Sequence, residues 1–306
     1  MARQRVSDRP ITIIAGPTGV GKSQLAVEVA TRMNAEVISA DSRQVYRGLD
    51  IGTATPTEAE RGGVPHHLLN VLDPTDRVSA GWFERQARAA IAEIQARGKS
   101  VVVVGGSTLY VHALVEGLAP LPSLDPDLER HLNNVARTAA GRQALFEELR
   151  EADPAAATTL DPTKSQRLVR LVGVLRQSGR RVSEVWSDAP APPVASRLLV
   201  LDRPRGDLYR RIDARVLTMI EGGLVEEARS VLDRWPASRE VLESTIGYRE
   251  VLPVIDAGRD LDSAIALIQR NSRRYAKRQR TWYRRYPEAV WLDATAVTAQ
   301  QIVDAS

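Results

Sequence analysis

An eight-residue segment near the start of the chain has the spacing of a phosphate-binding loop. Residues 16–23 follow the pattern G-x-x-x-x-G-K-[ST], and they are Gly16, Pro17, Thr18, Gly19, Val20, Gly21, Lys22 and Ser23. The glycines of such a loop let the backbone turn so that its N–H groups face phosphate oxygens, and the following helix directs its N-terminus at the same anion. Lys22 adds a positive charge, and the Ser23 hydroxyl is placed to ligate Mg²⁺. We therefore expect this loop to bind a di- or triphosphate group.

The segments around the loop predict an α/β fold with a parallel sheet, because short apolar runs alternate with helical patterns. Strands are predicted at 11–15, 36–40, 101–104, 198–201 and 290–292, and helices at 24–33, 79–97, 207–221, 224–235, 246–257 and about 261–286. Residues 121–186 contain no strand-like run, and a proline-rich segment follows at 189–193. We therefore predict an α/β core made of residues 1–120 and 194–306, with an all-helical insertion domain at 121–193.

Two predicted strands end in residues that face the same edge of the sheet as the loop, where open α/β sheets bind their ligands. The strand at 36–40 is followed by Asp41, whereas the strand at 101–104 is followed by glycines and no acid. P-loop kinases usually carry a strand-end aspartate that helps to hold Mg²⁺. A small-molecule kinase with Asp41 as its base is therefore weakened but stays an alternative. An RNA-binding adaptor with a vestigial nucleotide site is a third hypothesis, which the intact Lys22–Ser23 pair disfavours.

Composition excludes several other classes of protein. The 306 residues include no cysteine, so disulfides, thiolate nucleophiles and cysteine-ligated metals are excluded. The four histidines leave little for a metal site, and we interpret the adjacent pair His66 and His67 as structural. No apolar run approaches the roughly 18–20 residues needed to cross a bilayer, and the N-terminus lacks the apolar stretch of a secretory signal. We expect a cytoplasmic protein that does not bind membranes.

The net charge of +4 is concentrated in one predicted helix. Residues 270–285 contain eight basic residues and no acidic one, so the rest of the chain is mildly acidic. Five of them recur at helical spacing and predict one outward-facing stripe: Arg270, Arg274, Lys277, Arg280 and Arg284. The opposite stripe, with Ile265, Ile268, Tyr275 and Trp282, is expected to pack on the core. A basic helix of this kind fits RNA phosphates, while membrane binding is the less favoured alternative.

Seven separated motifs, in order along the chain, resemble the tRNA dimethylallyltransferase (tRNA isopentenyltransferase) family. They lie at residues 16–23, 41–54, 65–68, 104–110, 166–170, 246–250 and 276–279. The resemblance implies a P-loop NTPase-like fold whose loop holds, instead of ATP, the diphosphate of dimethylallyl diphosphate, with Mg²⁺. It implies transfer of the prenyl group to N6 of the adenosine just 3′ of the tRNA anticodon, with that base flipped out of its stack. A monomer is expected. Two residues depart from the family pattern: Thr55 stands where lysine is usual, and Ser107 where threonine is usual.

The resemblance and the residue chemistry together assign roles at the site. Asp41 is expected to accept a hydrogen bond or the proton from the attacking amine, the alternative being a carboxylate that supports Mg²⁺ indirectly. Arg215 is expected to clamp the diphosphate with its two-pronged guanidinium, although the sequence does not separate it from Arg211. Lys22 and Ser23 complete the expected catalytic set. The Gln44 amide could pair with adenine. The residues expected to bind tRNA are Asp41, Ser42, Arg43, Gln44, Ser107, Gln166, Arg167, Leu168, Val169, Arg170, Arg274, Lys277 and Arg278.

Overall fold

Short runs of β-branched and apolar residues form a single parallel sheet in the computed structural model, which describes residues 10–119, 121–161, 163–187 and 192–305. Its six strands are β1 (Ile11–Ala15), β2 (Ala35–Ser39), β3 (His66–His67), β4 (Ser100–Gly105), β5 (Ser196–Asp202) and β6 (Val290–Asp293). They are arranged in the order β3-β2-β4-β1-β5-β6. All neighbouring pairs are parallel. The predicted fold class, an α/β protein with a P-loop NTPase-like core, is confirmed.

Helices occupy most of the remaining described chain. They are α1 (Lys22–Arg32), α2 (Glu58–Arg61), α3 (Ala80–Ala96), α4 (Thr108–Val115), α5 (Pro126–Val135), α6 (Ala139–Ala152), α7 (Pro154–Thr158), α8 (Ser165–Ser178), α9 (Val182–Ser187), α10 (Arg205–Glu221), α11 (Leu224–Arg234), α12 (Arg239–Glu243), α13 (Tyr248–Ala257), α14 (Leu261–Tyr283) and α15 (Ala299–Val303). A 3₁₀ turn lies at Pro236–Ser238. Among the described helices, none is both long enough and apolar enough to cross a membrane.

Alternation along the strands produces two apolar layers, one on each face of the sheet, because successive strand side chains point to opposite faces. Ile13 is fully buried in the layer that contains Phe83 of α3. Its neighbour Ile14 is fully buried in the layer that contains Val29 of α1. Each such side chain contributes about 1.5–3 kcal/mol relative to an exposed one. This packing fixes β1, β2 and β4, and with them the loops that follow their carboxyl ends.

The described chain divides into two compact units. One comprises the described residues of 1–115 and 194–306, and the other those of 116–193. The second unit contains α5 to α9 and has its own apolar core, which includes Leu132, Leu149 and Val172. The domain boundaries predicted from the sequence, at 121 and 193, stay a prediction. Of the proline-rich segment at 189–193, residues 189–191 lie outside the described residues.

The observed elements differ from the predicted ones at their ends, and β3, α2, α4, α12 and α15 were not predicted. Strand β3 is an edge strand of only two residues, too short to be recognised from periodicity, and it pairs with Val37 and Ile38 of β2. Helix α13 begins at Tyr248 instead of Ile246 because Gly247, with a φ of 99°, stands at its N-terminus. Helix α14 ends at Tyr283, three residues earlier than predicted.

Candidate active site

The phosphate loop turns sharply between β1 and α1, and two of its glycines are required by that turn. Gly16 has a φ of 144°, and a Cβ atom there would lie 2.6 Å from the carbonyl oxygen of Leu201 in β5. Gly21 has a φ of 106° and stands at the N-terminus of α1. An L-residue at either position would be strained. The glycines at these positions therefore allow the backbone to begin α1 directly after the turn, as an anion-binding loop requires.

Four side chains hold the loop through its backbone. Lys22 Nζ donates to the carbonyl of Pro17 at 2.8 Å, and Arg211 Nε donates to the carbonyl of Gly19 at 3.1 Å. Arg203 Nε donates to the carbonyl of Val20 at 3.3 Å. On the N–H side, Thr18 donates to Gln279 Oε1 at 2.9 Å. Three of these four side chains, those of Arg203, Arg211 and Gln279, are distant from the loop in the chain. The sequence analysis assigned them no role in holding the loop backbone.

Lys22, Arg215 and Asp41 form the charged centre of the site. Burial lowers the pKa of Lys22 to about 8, and the neighbouring positive charge of Arg215 adds to this effect while the Asp41 carboxylate opposes it. Burial also lowers the pKa of Arg215, again against the influence of Asp41. Both cations therefore lie within electrostatic reach of the same carboxylate. Arg211 differs, because its side chain is exposed and bonded to Gly19. The electrostatic influence on Lys22 favours Arg215 over Arg211 as the arginine beside it.

Asp41 follows the carboxyl end of β2, and its side chain is oriented by the backbone after it. Its Oδ1 accepts hydrogen bonds from the N–H groups of Arg43 at 2.8 Å and Gln44 at 3.4 Å. The residue is half-buried. Ser107, after β4, lies against the same edge, since its N–H donates to the carbonyl of Ala40 at 3.2 Å. The ends of β1, β2 and β4 therefore bring the phosphate loop, Asp41 and Ser107 to one edge of the sheet.

Gln44 does not present a free amide at this edge, contrary to the interpretation that it reads adenine. Its Nε2 donates to the carbonyls of Thr53 at 3.2 Å and Ala54 at 3.1 Å. Its Oε1 accepts from Ser39 Oγ at 3.2 Å. The side chain therefore fastens the turn at 53–54 to β2, because both of its polar groups already have partners. Ser42 and Arg43 are half-exposed beside it.

The same turn is held from its other side by a carboxylate that the sequence did not single out. Glu227 of α11 accepts hydrogen bonds from the backbone N–H groups of Asp50, Ile51 and Gly52. It also accepts one from the Tyr248 hydroxyl. Thr55, the departure from the family pattern, places its hydroxyl 2.8 Å from that of Thr53. Segment 50–55 is therefore a preformed turn. No local pattern could have predicted Glu227, because its partners are about 175 residues away.

The predicted RNA contacts on α8 need correction. This helix lies in the second compact unit, called the helical unit below. Gln166 and Arg167 are exposed, but Leu168 and Val169 lie in the apolar core of that unit at 0% and 2% exposure. Their side chains are therefore not available to RNA. Arg170 is half-buried, and its Nη2 donates to the carbonyl of Leu121 at 3.2 Å. Of the three polar side chains expected to face RNA from one surface, Gln166 and Arg167 are exposed and Arg170 is not.

Helix α14 carries the predicted basic face with one correction. Its exposed cations, together with those just after its end, are Arg270, Arg274, Lys277, Arg278, Arg284 and Arg285. Arg280, predicted on the same face, instead forms an ion pair with Asp202 at the end of β5, with 2.6 Å between Arg280 Nη2 and Asp202 Oδ2. Arg273 is paired with Asp213 of α10. The three residues expected to bind tRNA on this helix, Arg274, Lys277 and Arg278, are all exposed.

Among the residues that the structure describes, no group of three or more histidine, aspartate or glutamate side chains is arranged to hold a metal ion. His66 and His67 lie on β3, and His67 Nε2 is 2.7 Å from the buried Glu36 carboxylate. The exposed Ser23 hydroxyl at the end of the phosphate loop and the half-buried Asp41 carboxylate after β2 are oxygens at this edge of the sheet. A magnesium ion would need most of its ligands from a bound diphosphate and from water, which is the coordination that Mg²⁺ commonly adopts.

The parallel sheet, with a glycine-containing loop after β1 and two cations and a carboxylate at the carboxyl edge, places the chain in the P-loop class of α/β proteins, whose loop has the geometry of an anion-binding site. Residues 44–286 match the profile of the IPP transferase family. The chain belongs to this family. The matched range begins after the phosphate loop and Asp41, so the comparison and the loop geometry are separate observations.

Relatives from several bacteria are similar over almost the whole chain. The tRNA dimethylallyltransferase of Salinibacter ruber is 41% identical over 296 residues, covering 96% of this chain and 91% of the relative. The tRNA dimethylallyltransferase 1 of Citrifermentans bemidjiense is 42% identical over 285 residues, covering 92% of each. These similarities do not favour the small-molecule kinase.

Solved structures show the same fold. The tRNA isopentenylpyrophosphate transferase of Bacillus halodurans matches with a TM-score of 0.68 and 36% identity, covering 97% of this chain and 93% of that one. A eukaryotic dimethylallyltransferase described as acting on tRNA matches with a TM-score of 0.82 and 30% identity, covering 97% of this chain and 78% of that one.

We expect Arg167→Ala to weaken binding of an anticodon stem-loop RNA roughly three- to tenfold and to reduce the slope of log K against log salt by about one, as loss of one phosphate contact does. Arg170→Ala should instead lower the melting temperature, because it removes the hydrogen bond to Leu121. Fluorescence anisotropy at several salt concentrations measures the first effect and calorimetry the second. Arg150→Ala, an exposed arginine of α6 paired with Glu147, is the control. An unchanged salt slope in Arg167→Ala would remove α8 from the RNA interface.

Proposed function

We propose that this chain is a tRNA dimethylallyltransferase that moves the dimethylallyl group of dimethylallyl diphosphate to N6 of the adenosine 3′-adjacent to the anticodon. The observation that carries the proposal is the phosphate loop with Lys22 and Arg215 beside Asp41. This arrangement would put cations next to the leaving diphosphate and an acceptor next to the attacking amine. Membership of the IPP transferase family and the names of the relatives support the substrate pair.

The cations and backbone N–H groups of the loop would stabilise the departing diphosphate. As the bond between the prenyl C1 and the diphosphate oxygen breaks, negative charge develops on that oxygen. Fixed donors then stabilise the transition state more than the ground state. Arg203 contributes indirectly, because by holding the carbonyl of Val20 it turns the N–H of Gly21 to the opposite side of the same planar peptide. We assign the clamp to Arg215, whose fork geometry suits two phosphate oxygens.

Ser23 is the residue we propose to hold Mg²⁺ together with the diphosphate. Its side chain is exposed at the start of α1, and a hydroxyl is a ligand that Mg²⁺ accepts. When bound, the ion supplies positive charge that weakens the bond to the leaving group. In the alternative role, in which Asp41 supports Mg²⁺ indirectly, the carboxylate would not be available to accept the proton of the amine.

Asp41 would receive the proton that the amine loses. The amine nitrogen forms a bond to the prenyl C1, diphosphate leaves with the electron pair of the broken C–O bond, and one N6 proton passes to the carboxylate. The hydrogen bonds from the Arg43 and Gln44 N–H groups to Oδ1 leave Oδ2 for this role. Adenine N6 is a weak nucleophile, so a positioned acceptor is needed during attack.

Two surfaces are proposed to bind the RNA. The basic face of α14, with Arg274, Lys277 and Arg278, carries charge for the phosphates. On the helical unit, Gln166 and Arg167 of α8 are exposed. The target base must leave its stack to reach Asp41 at the sheet edge, which is the behaviour of enzymes that modify a base. The cytoplasmic location, the monomeric state and the domain boundaries stay predictions.

Incubation of the full chain with isotope-labelled dimethylallyl diphosphate, Mg²⁺ and an anticodon stem-loop RNA tests this function. Label should enter the RNA, and nuclease digestion should place it on the adenosine after the anticodon. An RNA with inosine at that position is the matched control, because inosine has a carbonyl in place of the exocyclic amine. Transfer of phosphate from ATP to a small molecule, with no labelled RNA, would overturn the proposal in favour of a kinase.

A further inference from the structure

Gln279 of α14 connects two loops of the site with a single side chain. Its Oε1 accepts the Thr18 N–H at 2.9 Å, and its Nε2 donates to the carbonyl of Gly106 at 2.7 Å. The residue is only 2% exposed, so it is closed off from an RNA lying on the outer face of α14. Gln279 therefore joins the phosphate loop to the residue that follows β4.

The two hydrogen bonds require an acceptor and a donor on the same terminal group, because Oε1 accepts and Nε2 donates. An amide supplies an acceptor and a donor in this arrangement, whereas a carboxylate supplies acceptors alone. Gly106 makes the close approach possible, since a Cβ atom there would lie 2.4 Å from Gln279 Nε2. Gly106 and Gln279 are therefore a matched pair, although 173 residues separate them.

The bond to Thr18 also fixes the position of Lys22. In a planar trans peptide the N–H and the preceding carbonyl point in opposite directions, and the described chain contains no cis peptide. Holding the Thr18 N–H toward Gln279 therefore turns the Pro17 carbonyl to the other side of the loop. That carbonyl is the one that accepts from Lys22 Nζ at 2.8 Å. The chain of contacts runs from Gln279 through one peptide plane to the ammonium group.

We propose that Gln279 is a positioning residue that sets the orientation of the Pro17–Thr18 peptide and thereby holds Lys22 where the diphosphate binds. The inference rests on the proposed function, because it assumes that a diphosphate occupies the loop. It assigns the Ala276–Gln279 motif two different tasks. Lys277 and Arg278 face outward, toward RNA, while Gln279 faces inward, toward the donor.

Binding of inorganic pyrophosphate with Mg²⁺ to the full chain, measured by calorimetry, tests the proposal without requiring turnover. Gln279→Met keeps the approximate size of the side chain and removes both polar groups, and it should weaken pyrophosphate binding about tenfold or more, as loss of buried hydrogen bonds does. Anisotropy should show RNA affinity unchanged within twofold. Gln269→Met is the matched control on the same helix, because Gln269 donates to the carbonyl of Asp213 on α10 and not to the phosphate loop.

Gln279→Glu provides a signature that a general loss of stability does not give. A protonated carboxyl reproduces the donor and acceptor of the amide, so this variant should bind pyrophosphate well at low pH and progressively worse, relative to wild type, as its carboxyl ionises. The titratable group in contact with it is Tyr275, one turn earlier on α14, which shares a side-chain hydrogen bond with Gln279 and whose pKa is raised by burial. Asp41, Arg43 and Arg278 are the charged groups that also act on Tyr275, while Lys22 is reached through the Pro17–Thr18 peptide.

The outcomes separate the two proposals. Failure of the wild-type chain to bind pyrophosphate would overturn the proposed function and this inference with it. Wild-type affinity in Gln279→Met would overturn the inference alone. The inference would also be overturned if pyrophosphate and RNA affinity fell together with the melting temperature, or if Gln279→Glu showed the same pH profile as wild type.

Discussion

Asp41→Asn is expected to lower kcat by about two to four orders of magnitude, which is the usual contribution of a positioned proton acceptor. Asparagine keeps the Oδ1 oxygen that accepts the N–H groups of Arg43 and Gln44, so the turn after β2 should persist. The amide lacks the basicity to take the N6 proton. Dissociation constants for RNA and for pyrophosphate should stay within a few-fold of wild type.

Single-turnover kinetics with saturating RNA and donor measures this effect apart from binding. Asp73→Asn, which makes the same chemical change at a half-exposed carboxylate paired with Arg47, is the control and should leave the rate unchanged. If Asp41→Asn lost RNA affinity in proportion to its rate, the carboxylate would be an RNA contact and not the proton acceptor.

Lys22→Met should weaken Mg²⁺-pyrophosphate binding about 10- to 100-fold, the effect of losing a charge-assisted hydrogen bond. The pKa of Lys22, lowered to about 8 by burial, adds a pH dependence. The ammonium form predominates below that value and is lost above it, so wild-type affinity should fall as pH rises past about 8. Lys22→Arg stays charged throughout and should not show this fall.

Calorimetric titrations with pyrophosphate from pH 7 to 9.5 test both statements. Lys99→Met is the control, because Lys99 lies at the opposite end of β4, 3.2 Å from Glu36. Equal affinity in wild type and Lys22→Met would show that the ammonium does not contact the diphosphate. A parallel decline in Lys22→Met and wild type above pH 8 would assign the pH dependence to another group.

The phosphate loop and the strand that precedes it could be predicted from the sequence because both are specified locally. Glycine at 16 and 21 is required by the positive φ angles there, and the apolar run at 11–15 coincides with β1. Asp41 was found for the same reason, since it follows directly after a strand. The carboxyl ends of parallel strands meet at one edge, so topology alone brought these residues together.

Partners far apart in the chain could not be predicted. Gln279 meets Thr18 across 261 residues, and the spacing of residues within α14 carries no information about that contact. Helical periodicity also predicted the wrong surroundings for Arg280, because the sequence of the helix does not reveal that Asp202 faces it. On α8, the buried neighbours Leu168 and Val169 show that a helix presents its polar face as a narrow strip.

The fastening of the phosphate loop by Lys22, Arg203, Arg211 and Gln279 has a kinetic consequence. A cradle that is already formed in the free protein loses little conformational entropy when an anion enters. Under the proposed function, it would bind the released diphosphate by the same contacts that hold the donor. We therefore expect product release to compete with chemistry in setting the turnover rate, as it does in many enzymes, and added diphosphate to inhibit competitively against the donor.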